Sequence, residues 1–208
     1  MDQHLFEKYL RDALMFWATV DPIGTLSIFA GLTAGIAVGE RRRIALRANV
    51  YAAVILVLSA VLGQMILDAM DIQLASLQVA GGIILLLFGL QMVFGNLSGT
   101  LHGQAEAGHD MAVFPLAVPS IASPGAIMAA IVLTDNDLFT VPVQLGTISV
   151  LIGVLLVNYL LMLAAGPVLR VIGLSGASIL IRIMGILLAA LSVQIVMGAL
   201  QIRGWTGG

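Results

Sequence analysis

The chain has no cysteine, and only 10% of its 208 residues are charged. Without cysteine there are no disulfides, no thiolate metal sites and no cysteine nucleophiles, and the redox compartment stays open. A soluble domain is roughly one-quarter charged. This chain is too poor in charge to cover a water-facing surface of its own. Its net charge of −2 offers nothing to nucleic acid or another polyanion. The start, "MDQHLFEKYLRDALMFW", is interrupted by Asp2, Glu7 and Asp12 and has no small-residue cleavage site after a basic stretch. It reads as a polar or amphipathic lead-in, not as a removable signal peptide. No phosphate loop, nucleophile elbow or zinc-protease helix is present, so an enzyme is not expected.

What is present is apolar: 60% of the residues are hydrophobic. A helical span needs about 20 mostly apolar residues. Such segments fall near 12–36, 45–68, 74–96, 112–133, 143–169 and 178–202. The runs are continuous and do not alternate, so helices are favoured over a barrel. The expected class is an all-α multi-pass membrane protein of six transmembrane helices. Six of the nine Lys and Arg fall on one side: Arg41, Arg42, Arg43, Arg47, Arg170 and Arg182. Lys8, Arg11 and Arg203 fall on the other. The positive-inside rule therefore predicts both termini outside.

The two halves echo each other. "GIILLLFGLQMVFG" at 82–95 aligns with "GILLAALSVQIVMG" at 185–198, which matches Gly82 to Gly185, Gln91 to Gln194, Val93 to Val196 and Gly95 to Gly198. Residues 1–100 and 101–208 thus read as two three-helix repeats, the second inverted because each has an odd number of spans. The same offset carries Asp21-Pro22, within one residue, onto Ser123-Pro124. Spans one and four are both predicted to break at mid-membrane.

Asp followed by Pro is an N-cap followed by an N1 proline. The Asp21 carboxylate can accept from the amides of Ile23 or Gly24. Ser123, Pro124 and Gly125 repeat the arrangement with a hydroxyl cap. Each inner helix start then carries free amides and a partial positive charge, which suits an anionic group. Gly24 and Gly125 would let a small ligand approach the backbone. Asp21, the acidic residue set deep in a span, can hold an ammonium or take up a proton. The candidate substrate site is Asp21, Pro22, Gly24, Thr25, Ser120, Ser123, Pro124, Gly125 and Asn158, with Asp21 also the candidate for proton coupling. The expected partners are a small zwitterion, protons and the lipid bilayer. No metal or cofactor is implied.

Plainer readings stand beside these. Asp21 can be a cap that never touches cargo, and Ser123-Pro124-Gly125 a kink that only shapes packing. Asn158 either lines the site or ties helices together. Gln91 and Gln194 read as interhelical ties, and Asn49 as a cap or headgroup contact. Gly31, Gly35 and Gly39 read as a close-packing face. His102, Glu106, His109 and Asp110 read as a solvated loop, since their spacing fits no standard ligand set. A scaffold that does not transport and an exporter of a cation or other small solute are the competing functions, and a homo-oligomer is left open. One carboxylate is thin coordination for a divalent ion.

"DPIG" at 21–24, "P-x-x-x-P" at 115–119 and "SPGAI" at 123–127 resemble the MarC family of prokaryotic multi-pass membrane proteins, as do the length and the six-span layout. Thr25 stands where that family often has asparagine, and Ser123 where it often has glycine. Both adjoin the candidate site. The resemblance implies kinship with LysE-type exporters, residence in the cytoplasmic (inner) membrane, and proton-coupled transport of small neutral amino acids such as glycine or alanine.

Overall fold

A computed structural model describes residues 3–94 and 110–200, and among these every regular element is helical. His102, Glu106 and His109, the repeat match at Gly95, and Arg203 lie outside the described residues, as does the boundary drawn between the halves. The elements are α1 (Gln3–Val20), α2 (Pro22–Leu32), α3 (Val38–Ala69), α4 (Leu74–Phe94), α5 (Ala112–Ile121), α6 (Pro124–Leu133), α7 (Val141–Leu163) and α8 (Ala165–Ala199). Five segments are long and apolar enough to cross a membrane: Gln3–Leu32, Val38–Ala69, Leu74–Phe94, Val141–Leu163 and Ser178–Ala199. A sixth is counted if α5 and α6, bent by 56° at their junction, form one span. The outer faces suit lipid. Along α3, for example, Leu46, Val50, Val54, Leu58, Val61 and Met65 all point outward.

Three boundaries differ from the sequence reading. The lead-in is not separate, because α1 is helical from Gln3 and Asp12 is buried within it. The arginines expected in a loop begin α3, whose first residue is Val38. The loop expected before the last span is mostly helix as well. Only Ala164 separates α7 from α8, and α8 turns at Gly173, where φ 68° and ψ 170° demand a residue without Cβ.

α5 is irregular for a local reason. It carries Pro115 and Pro119, and the residue before each is extended, with Phe114 at φ −128°, ψ 127° and Val118 at φ −131°, ψ 128°. A proline pushes its predecessor out of the helical region and removes a backbone donor. The α5–α6 pair nevertheless follows α3 along its length. Asp110, just before α5, pairs with Arg47 near the start of α3. Thr134, capping the end of α6, donates to the carbonyl of Ala60 at 3.0 Å.

The main packing pairs are reciprocal. α1 packs on α7 as α5 packs on α3, and α2 packs on α8 as α6 packs on α4. α3 also meets α7, and α4 forms a long seam with α8. Glycines close that seam. A Cβ on Gly82 would lie 2.5 Å from Val196 Cγ2 and 3.1 Å from the Ser192 carbonyl. A Cβ on Gly185 would lie 2.7 Å from the Gly89 carbonyl and 3.0 Å from Val93 Cγ2. Gln91 and Gln194 are exposed and do not tie the seam, contrary to expectation. Backbone contact between small residues replaces them.

At Gly89 a Cβ would meet backbone atoms, the Gly185 carbonyl at 2.7 Å and the Ala189 nitrogen at 2.9 Å, while at Gly153 it would meet nothing. Gly89→Ala should therefore destabilise the protein by about 1–3 kcal/mol through overpacking, and Gly153→Ala should not. Thermal unfolding in detergent compares them. Equal midpoints would contradict the seam.

Candidate functional site

The candidate site grows from two helix starts. Asp21 separates α1 from α2 in the left-handed region, at φ 47° and ψ 70°, which aspartate tolerates better than most side chains. Its Oδ1 accepts from the Gly24 amide at 3.1 Å, and Pro22 opens α2 with no N–H to satisfy. Ser123 separates α5 from α6 in extended conformation. Its Oγ accepts from the Ala126 amide at 3.0 Å, and Pro124 opens α6. Both caps thus have the chemistry that the residue types dictate.

The breaks also satisfy each other. The last turn of a helix leaves carbonyls without intrahelical donors. In α1 the Thr19 carbonyl accepts from Ser123 Oγ at 2.9 Å, and the Val20 carbonyl accepts from Thr25 Oγ1 at 3.4 Å. Thr25 Oγ1 and Ser120 Oγ lie 3.2 Å apart, a second link between the two breaks. Asp21, Thr25 and Ser123 are buried and Ser120 is half-buried. Eight of the nine candidate residues thereby lie at the junctions of α1 with α2 and of α5 with α6: Asp21, Pro22, Gly24, Thr25, Ser120, Ser123, Pro124 and Gly125.

Two expectations change. The glycines do not open the backbone to a ligand. A Cβ on Gly24 would fall on the Asp21 carboxylate, 2.9 Å from Cγ, and one on Gly125 would fall on Leu85, 2.7 Å from Cγ. Gly24 makes room for its own cap, and Gly125 lets α4 pack against α6. Asn158 is tied elsewhere. Its Nδ2 donates to Asn49 Oδ1 at 3.0 Å, and Asn49 Nδ2 donates to the Ala45 carbonyl at 2.9 Å. Asn49 is therefore a buried interhelical contact between α3 and α7, not a headgroup residue. Among the described residues, the buried Asn158 Oδ1 has no hydrogen-bond partner.

One polar cluster escaped the sequence reading. Asp12 is 1% exposed. Its Oδ2 receives Lys8 Nζ at 2.6 Å and Thr147 Oγ1 at 2.7 Å, while Lys8 Nζ also donates to Thr147 at 2.8 Å. The i,i+4 spacing of Lys8 and Asp12 was a signal available in sequence. The partner on α7 was not.

Residues 6–203 match the family described as MarC family integral membrane protein. The chain belongs to the MarC family. It is a multi-pass membrane protein with archaeal and bacterial relatives. A UPF0056 membrane protein of Methanocaldococcus jannaschii is 34% identical over 189 residues, covering 89% of this chain and 92% of the relative. One from Archaeoglobus fulgidus is 36% identical over 185 residues, covering 87% and 86%. YhcE of Escherichia coli, also a UPF0056 membrane protein, is 29% identical over 201 residues, covering 94% and 93%. No solved structure matches the chain.

In this MarC chain Ser123→Ala removes both the cap of α6 and the donor to Thr19, and should cost about 1–2 kcal/mol of stability. Ser123→Thr keeps a hydroxyl for both bonds and should cost less. Thermal unfolding in detergent separates them, and equal losses would mean the hydroxyl ties nothing.

Proposed function

We propose that the protein is a proton-coupled secondary transporter of small neutral amino acids, with glycine and alanine as the first candidates. It would be built as a three-plus-three inverted repeat related to the LysE-type exporters. It would sit in the cytoplasmic membrane with both termini outside.

The observation that carries this reading is the pair of capped helix starts held against each other. Asp21-Pro22 opens α2, Ser123-Pro124 opens α6, and Ser123 Oγ joins them through the Thr19 carbonyl at 2.9 Å. The caps differ in charge, and that difference suits a zwitterion. The positive end of α2 already faces the Asp21 carboxylate. The positive end of α6 faces only a neutral hydroxyl and keeps its pull on an anion. A substrate carboxylate would turn toward α6 and its ammonium toward Asp21. A divalent cation would meet one carboxylate and an opposing helix start, which favours the zwitterion over the cation reading.

Reciprocal packing supports the inverted repeat. Exchanging α1–α4 with α5–α8 maps the main packing pairs onto themselves. The correspondence reaches single residues. At the 103-residue offset of the sequence repeat, the Gly82 contacts with Ser192 and Val196 become the Gly185 contacts with Gly89 and Val93. Two repeats with a shared site between them can rock about it and alternate access.

Proteoliposomes holding the purified protein should take up labelled glycine faster with a pH gradient than without one. No uptake across a panel of small amino acids would end the proposal. Asp21→Asn keeps an N-cap acceptor and tolerates the left-handed backbone, so it should fold. It has no proton to exchange and should lose gradient-driven accumulation. If accumulation survives unchanged, Asp21 is only a cap.

A further inference from the structure

We propose that Lys8, Asp12 and Thr147 form a gate between α1 and α7, and that Arg47 and Asp110 form the matching gate between α3 and α5 at the opposite face. The inference rests on the transporter reading and names the contacts that would close its two sides.

The first cluster joins the repeats where α1 and α7 both start. Asp12 carries its charge into an apolar surround, which is tolerated only with a partner in place. It has two: Lys8 at 2.6 Å on its own helix and Thr147 at 2.7 Å on α7. Lys8 bonds Thr147 as well, at 2.8 Å, and its ammonium sits 4.1 Å from the Phe139 ring centroid, just before α7. Tyr9 fills the space that a side chain at Gly146 would need. Five side chains, Lys8, Tyr9, Asp12, Phe139 and Thr147, thus close α1 on α7.

The second contact stands at the related place in the other repeat. The 102-residue step that carries Asp21 onto Ser123 carries Lys8 onto Asp110. Asp110 pairs with Arg47 of α3, and α3 is to α5 what α7 is to α1. Each repeat therefore brings one charged residue that precedes its break to the other repeat's long helix, at opposite ends of the bundle. The two contacts differ in closure. The Lys8 and Asp12 side chains are 15% and 2% exposed, those of Arg47 and Asp110 47% and 36%. Both contacts are formed: the α1–α7 contact is shielded from solvent and the α3–α5 contact lies open to it, where an ion pair is held more weakly.

The natural chain has no cysteine, so Ser120→Cys gives a single reporter beside the break. In sealed vesicles of either orientation, a membrane-impermeant maleimide should label it from the face where α3 starts and poorly from the face where α1 starts. Asp12→Asn and Thr147→Val should each raise labelling from the α1 face about tenfold, the scale of one lost charge-assisted hydrogen bond. Exchanging Lys8 and Asp12 with each other should restore protection. Labelling from the α1 face that stays unchanged in both variants would overturn the gate, as would an equal rise at both faces. The readout does not need transport. A chain with this pattern that carries no glycine keeps the gates and loses the substrate, and a chain that carries glycine without the pattern loses the gates.

Discussion

A helix start that is buried must satisfy its first amides and the last carbonyls of the helix before it within the protein, because an unpaired buried polar group is costly, and Asp21 and Ser123 are both buried. The candidate site follows from that constraint. Asp21 answers the Gly24 amide, Ser123 answers the Ala126 amide, and Pro22 and Pro124 remove donors that would otherwise be orphaned. The carbonyls left at the end of α1 are met by Ser123 and Thr25. Because one of those donors comes from the other break, neither start is independent. The cap chemistry itself brings the two halves together.

Around that contact the rest is arranged by size. Small residues let α4 and α8 touch through backbone at Gly82, Gly89 and Gly185, and let α4 reach α6 at Gly125. Among the described residues, side-chain hydrogen bonds join α1–α4 to α5–α8 at several points, including Thr25 to Ser120, Asn49 to Asn158, Gln64 to Asp135, Thr134 to Ala60, Arg47 to Asp110, and Lys8 and Asp12 to Thr147.

Much of this was legible in the sequence because it is local. Apolar run length gave the spans, and Asp-Pro and Ser-Pro gave the starts of α2 and α6 with their capping partners. The family followed from motifs at those same positions. What escaped was long-range. Asp12 looks like a surface charge until Thr147, 135 residues away, is beside it. Asn49 looks like a headgroup contact until Asn158 bonds it. Gly24 and Gly125 look like doors for a ligand until the neighbours that fill their space, Asp21 and Leu85, are located. Periodicity names which residues are small or polar. It does not say which residue of another helix arrives opposite them.

The central claim is that the substrate binds between the two helix starts, where Thr25 and Ser120 meet at 3.2 Å. Purified protein with Thr25→Cys and Ser120→Cys, in a background without other cysteines, allows that junction to be joined and released. Equilibrium binding of labelled glycine, before and after oxidation, tests the claim directly. The account predicts binding in the reduced protein, its loss once the two sulfurs are linked, and its return on reduction. Glycine bound equally well in both states would put the substrate elsewhere and contradict the account.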